Sequence, residues 1–217
     1  MPVNKETYQL ISEELKQKNV SLVAVSKTKP AEEIHTLYEL GQRDFGENYV
    51  QELAEKRSLL PEDIRWHFIG HLQSNKVKII APFVHLIHGV DSFKLLAEIN
   101  KQAEKNNRVI DCLLQMHIAV EETKFGLNEK ELKELLQQLS AQPMKNIRVV
   151  GLMGISSLTD DTSKVRSEFN ALKLLFDRSK MNDDFKILSM GMSSDYQLAI
   201  EEGSTMVRIG SLLFGMR

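Results

Sequence analysis

One pattern repeats along nearly the whole chain. Short runs of β-branched and apolar residues alternate with longer stretches whose apolar residues recur at helical spacing. The short runs cover residues 20–25, 43–45, 64–69, 84–90, 109–118, 148–153, 185–189 and 205–209. Between them lie seven helical stretches: 31–40, 47–59, one from about Ser74, one opening at Asp91 or Ser92, 129–140, 163–180 and 194–202. Strands that alternate with helices imply a parallel sheet with right-handed crossovers, and eight such strands can close on themselves. The expectation is an α/β chain folded as one TIM-like (β/α)8 barrel over residues 1–217. An additional helix over residues 5–19 precedes strand 1, and the last helix is truncated. Closure sets strand 1 beside strand 8, so the N-terminal helix can cover the place of the shortened one. An open doubly wound sheet is the alternative. It calls for a glycine-rich turn after strand 1, where this chain has SKTKP.

Composition excludes several classes. The formal net charge of −2 supplies no field to attract nucleic acid or an anionic membrane. No apolar run is long enough to span a bilayer, and the first residues lack a basic segment followed by an apolar one. The one cysteine, Cys112, lies in an apolar strand and reads as a small buried hydrophobe. A cytoplasmic setting is the expectation. His67, His85 and His88 show no metal-ligand spacing, so no metal is expected.

Barrel sites form where the strands end. Strands 7 and 8 end in MGMSSD and RIGS. Glycine lets backbone amides approach an anion, and serine hydroxyls donate to it. GMSSD alone reads more simply as a helix cap by Ser193 or Ser194, but the second Gly-Ser, Gly210–Ser211, with Arg208 nearby favours a phosphate site. Lys27 directly follows an apolar strand, where desolvation favours the neutral amine that attacks an aldehyde. A lone strand-end lysine is more commonly a solvated one, and Lys29 competes in the same loop. Barrel closure nevertheless brings Lys27 toward Arg208. Lysine, phosphate cradle and arginine together suit pyridoxal 5′-phosphate (PLP), with the arginine at the pyridine nitrogen. Asn48 and His71 stand at strand ends, Met153 reads as core, and Glu47, Glu52 and Asp195 read as solvated helix charges.

Six stretches, VAVSKTKP, FGENYVQE, WHFIGHLQSNK, GLMGI, SMGMSSD and VRIGSLLFG, closely resemble the motifs of the PLP homeostasis protein family. The resemblance runs in register from about residue 20 to the C-terminus. It implies a PLP-binding barrel similar to the N-terminal domain of alanine racemase, with a Schiff base on Lys27 and Arg208 at the pyridine nitrogen. It also implies phosphate contacts from Ser193 or Ser194 and from Gly210 and Ser211, with Asn48, His71 and Met153 near the cofactor. Alanine racemase carries a second domain with a catalytic tyrosine, for which this chain shows no counterpart. The resemblance therefore implies a PLP carrier or regulator without robust turnover, with PLP-dependent apoenzymes as recipients and a monomeric or weakly dimeric state. A PLP-dependent amino-acid racemase is the alternative. A barrel enzyme acting on a phosphorylated sugar is what the residues alone also allow.

Overall fold

The computed structural model describes residues 3–119, 125–180 and 182–215. Eight parallel strands close into a barrel in sequence order: β1 (Ser21–Val25), β2 (Asp44–Glu47), β3 (Arg65–Phe68), β4 (Leu86–Val90), β5 (Ile110–Met116), β6 (Ile147–Gly154), β7 (Ile187–Ser189) and β8 (Met206–Ile209). The helices are α1 (Lys5–Gln17), α2 (Ala31–Glu39), α3 (Val50–Leu59), α4 (Val77–Ile80), α5 (Phe93–Lys105), α6 (Glu129–Ala141), α7 (Thr162–Arg178), α8 (Tyr196–Glu201) and α9 (Ser211–Phe214). A single 3-10 turn, Ser74–Lys76, leads into α4. Closure is made by β1 and β8, which pair from Ser21–Met206 to Ala24–Ile209. The expected (β/α)8 barrel is therefore present, with its final helix cut to four residues.

α1 covers that shortened end. The Asn4 side chain caps it by accepting the Thr7 amide at 3.0 Å. Tyr8, Ile11 and Leu15 form its buried face at helical spacing. Burying each such side chain contributes about 1.5–3 kcal/mol. The amide of Asn4 donates to the carbonyl of Leu213, fastening α1 to α9. Ser92 rather than Asp91 caps α5, accepting from Leu95 at 3.3 Å. Asn128 and Glu131 close a reciprocal capping box on α6.

Alternation along the strands divides the packing into two layers. Outward residues such as Leu22, Ala24, Phe45, Trp66 and Phe68 join the large core between sheet and helices. A smaller cluster of Val23, Leu86, Leu113, Val150, Met153 and Met206 packs separately. Cys112 is fully buried, and burial pushes its thiol far up, as befits a packing residue. Among the described residues, no helix is long and apolar enough to cross a membrane.

Candidate functional site

A cavity of about 440 Å³ opens where the strands end, lined by Lys27, Asn48, Ser193, Ser194, Arg208, Gly210 and Ser211 among others. Seven of the nine sequence-derived site residues thus meet in one place. On β1 the alternation runs Val23, Val25, Lys27: Val23 lies in the inner cluster, while Val25 and Lys27 line the cavity.

The loop bearing Lys27 is anchored from two sides. Thr28 adopts φ 65°, an uncommon value for a β-branched residue. Its amide donates to Glu52 Oε1 at 2.5 Å. Lys56 Nζ donates at 2.7 Å to the carbonyl of Ser26, to Glu47 Oε1 and to Glu52 Oε1. Ser26 Oγ donates to Glu47 Oε1 at 2.7 Å. Glu47 is wholly buried. Burial raises its carboxyl pKa, against the opposing pull of the Lys56 charge. Glu47 and Glu52 are therefore structural members of a hydrogen-bonded network, which corrects their reading as solvated helix charges. Lys29 is committed elsewhere, with Nζ donating to the carbonyl of Phe214 at 2.7 Å.

Arg208 forms part of the floor and is nearly inaccessible. Its Nη1 donates to the carbonyl and hydroxyl oxygens of Ser189 at 2.8 and 2.7 Å, and its Nη2 to the carbonyl of Gly154 at 3.0 Å. Three of the five guanidinium donors are thereby used, and among the described residues the other two meet no acceptor. Burial pushes its pKa down to about 10, with Asp195 pulling the other way, so it stays cationic at neutral pH.

The loops after β7 and β8 form one wall. Gly191 takes φ +95°, and an added Cβ would stand 2.6 Å from Ala199 Cβ and 3.0 Å from Tyr196 Cα. Ser193 Oγ accepts the Gly210 amide at 3.2 Å, tying the two loops together. Neither Ser193 nor Ser194 caps α8, whose N-cap is Asp195 without a side-chain cap bond. Asp195 instead accepts the Met192 amide and the Ser156 hydroxyl, both at 2.6 Å, so it too is a shaping residue rather than a solvated charge. Among the described residues, the amides of Ser193, Ser194, Ser211 and Leu212 meet no acceptor. Adjacent amides without acceptors, with hydroxyls beside them, suit a phosphate.

Asn48 offers a second sign of fit, because its Oδ1 is buried without a hydrogen-bond partner among the described residues. Such an orphan costs about 1–3 kcal/mol unless a ligand supplies a donor. Gly70 makes this placement possible: an added Cβ would fall 2.4 Å from the Asn48 carbonyl oxygen.

Two sequence-derived residues stand apart from the cavity lining. His71 stacks on Phe125 with ring centroids 4.3 Å apart and faces Asp91 at 3.6 Å. Met153 is buried in the inner cluster, and Ile155, two residues on, lines the cavity. Ile69, two residues before His71, also lines it, as do Met192 and Leu212. The two-residue strand period was the signal for Ile69 and Ile155.

The family model described as "Alanine racemase, N-terminal domain" matches residues 5–217. A pyridoxal phosphate homeostasis protein of Aquifex aeolicus is 45% identical over 201 residues, which is 90% of this chain and 86% of that one. The chain belongs to the pyridoxal phosphate homeostasis protein family. PipY of Synechococcus elongatus, solved without PLP, superimposes with a TM-score of 0.90 at 34% identity, covering 97% of this chain and 99% of that chain. The same protein with PLP bound gives a TM-score of 0.84 at 35% identity, covering 96% and 99%. Alanine racemase from Bartonella henselae shares the fold at a TM-score of 0.73 and 17% identity, covering 99% of this chain and 60% of that one.

Proposed function

We propose that this protein holds PLP as a member of the homeostasis family, with residues 1–217 acting as one PLP-binding unit. The carrying observation is convergence: Lys27, Arg208 and two serine-bearing loops meet at one cavity. When bound, PLP supplies an aldehyde that bonds a lysine amine and a ring that withdraws electrons. Lys27 is the Schiff-base lysine in this reading, because it follows Val25 into the cavity while Lys29 is tied to α9. Ser194, Ser211 and the adjacent amides hold the phosphate, and Ser193 keeps their loops together. Arg208 donates to the pyridine nitrogen with a proton it retains at neutral pH. Asn48 Oδ1 accepts from the ligand or from a water beside it.

The same residues favour holding over turnover. Among the described lining residues only Lys27 and Arg208 ionise, and a cationic arginine makes a poor proton acceptor. A missing positioned acid or base typically costs about 10²–10⁴ in rate. Release to PLP-dependent apoenzymes in the cytoplasm, from a monomer or weak dimer, is the role that fits such a site.

Titration of the purified protein with PLP, pyridoxal and a sugar phosphate tests this reading. PLP should produce a visible absorption band and bind far more tightly than pyridoxal. Equal affinity for pyridoxal, or preference for the sugar phosphate, contradicts it. Turnover of a common amino acid at about 10 s⁻¹, the ordinary enzyme median, contradicts the carrier role.

A further inference from the structure

The barrel contains a second chemical feature that PLP binding leaves unused. A line of polar groups crosses from the cavity toward the opposite mouth, although such interiors are ordinarily filled by apolar side chains. Arg208 Nη1 contacts Ser189 Oγ at 2.7 Å. Ser189 Oγ lies 3.3 Å from His88 Nδ1, His88 Nε2 lies 2.9 Å from His67 Nδ1, and His67 Nε2 lies 2.9 Å from Asp44 Oδ1. Ser189 and His88 are fully buried, and His67 is 1% exposed. At the far end Asp44, Arg65, His67 and His85 line a separate cavity of about 230 Å³.

The direction of this line follows from donor and acceptor counting. Burial would raise the Asp44 carboxyl, but hydrogen bonds from Arg65 and His67 and their charges outweigh it and hold the pKa far below the usual range. Asp44 is therefore an acceptor, and His67 Nε2 carries a hydrogen. Burial, then the charges of His67, Arg208 and His85, hold the His88 pKa well below the ordinary value, so His88 is neutral. It has one donor and one acceptor nitrogen. With His67 neutral, its Nδ1 is bare, so His88 Nε2 donates to it. His88 Nδ1 then accepts from the Ser189 hydroxyl, which accepts from Arg208. Every polar group is satisfied in one orientation.

A proton added to His67 Nδ1 reverses the line. His67 then donates to His88 Nε2, which must be bare, and the His88 hydrogen moves to Nδ1 and donates to Ser189 Oγ. The Ser189 hydroxyl hydrogen turns away from His88 while its oxygen still receives Arg208. Other groups around the histidines are His85 before β4, Arg65 on β3, Asp111 on β5 and Arg208 on β8. Asp44, His67 and His85 also bring three ligand-type atoms within 4.8 Å of one another. The carboxylate is already committed to Arg65 and His67, which makes it the anchor of a hydrogen-bonded line.

We propose that His67, His88 and Ser189 are positioning residues that relay the protonation state of the N-terminal mouth to Arg208. The inference rests on the reading of Arg208 as the contact to the pyridine ring. It makes the ring's environment responsive to protons arriving at the face opposite the PLP cavity.

Nitrogen-detected NMR of the full chain with labelled histidine rings tests the relay directly. As pH is lowered, the spectra follow the arrival of a second proton on the His67 ring. With the same midpoint, the His88 hydrogen should move from Nε2 to Nδ1. A His88 that keeps one tautomer throughout, or becomes the cation itself, overturns the proposal. In the PLP-loaded protein the absorption band, normalised to bound PLP, should shift at that midpoint. Ser189→Ala should lose the shift while the His67 and His88 ring protons still change, and His88→Leu, which offers neither donor nor acceptor, should lose it too. A shift unchanged in Ser189→Ala also overturns the proposal. Failure of the unaltered protein to form any band counts against the PLP reading, while the ring-proton test continues to judge the relay.

Discussion

Lys56→Met is the substitution that most sharply tests what holds the lysine loop. Lys56 Nζ makes three hydrogen bonds at 2.7 Å, to Glu47, to Glu52 and to the carbonyl of Ser26. Its side chain is 7% exposed and that of Glu47 is 0%. Removing one partner of a buried pair leaves an uncompensated charge, at a cost of about 3–5 kcal/mol. The more accessible Glu52 pair adds at most about 1 kcal/mol. Glu47 can escape by taking up a proton, because burial already raises its pKa and the lost lysine charge was the main influence holding it down. The sign follows from linkage. A carboxyl whose folded pKa lies above its unfolded value stabilises at low pH, and that contribution is lost as pH rises through the folded pKa. Urea unfolding should therefore show the smallest penalty at and below the ordinary glutamate pKa of 4.5. The penalty should grow by up to about 1.4 kcal/mol per pH unit above it. Adding Glu47→Gln should recover most of the loss. A penalty below about 1 kcal/mol, or one independent of pH, would refute the buried-pair reasoning.

Three further outcomes follow from the same structure. Ser194→Ala and Ser211→Ala should each weaken PLP by the value of a charge-assisted hydrogen bond, about 1.5–3 kcal/mol, in a spectroscopic titration; unchanged affinity in both would remove the serines from the cradle. Gly70→Ala forces a Cβ to within 2.4 Å of the Asn48 carbonyl oxygen, so thermal unfolding should occur at a lower temperature and PLP should bind more weakly; a wild-type profile would show that the backbone yields freely. His88 refuses a proton in the folded state that it accepts when unfolded, so its contribution to stability is full above about pH 6.5 and falls as pH drops below it. Its share is up to about 1.4 kcal/mol per pH unit. His88→Gln should flatten that part of the stability–pH curve, and an unaltered slope would assign the acid sensitivity to other groups.

Much of the architecture was legible because local signals agreed. Alternating runs set all eight strands, and Ser92 stood where a cap was needed. The boundary at β2 was harder to read. Gly46 and Glu47 continue the strand, paired with His67 and Phe68, and α3 begins only at Val50. Glu47 looked like a helix charge because nothing in its neighbourhood along the chain shows that Lys56, on the inward face of α3, will reach it. Ser193 looked like a cap because its bond to the amide of Gly210 spans two loops. The lining beyond the strand ends depended on depth along one face of each strand. Ile69 and His71, like Met153 and Ile155, stand two residues apart on the same alternation, and the cavity takes Ile69 and Ile155. The line from Asp44 to Arg208 draws on β2, β3, β4, β7 and β8, so only closure of the barrel reveals it.

The central claim is that Lys27 is the residue that bonds PLP. Borohydride reduction of the PLP-loaded protein, followed by proteolysis and mass mapping, tests it most directly. The account predicts a single stable adduct on the peptide containing Lys27, lost in Lys27→Ala. An adduct confined to Lys29 or Lys76, or one that persists unchanged in Lys27→Ala, would contradict it.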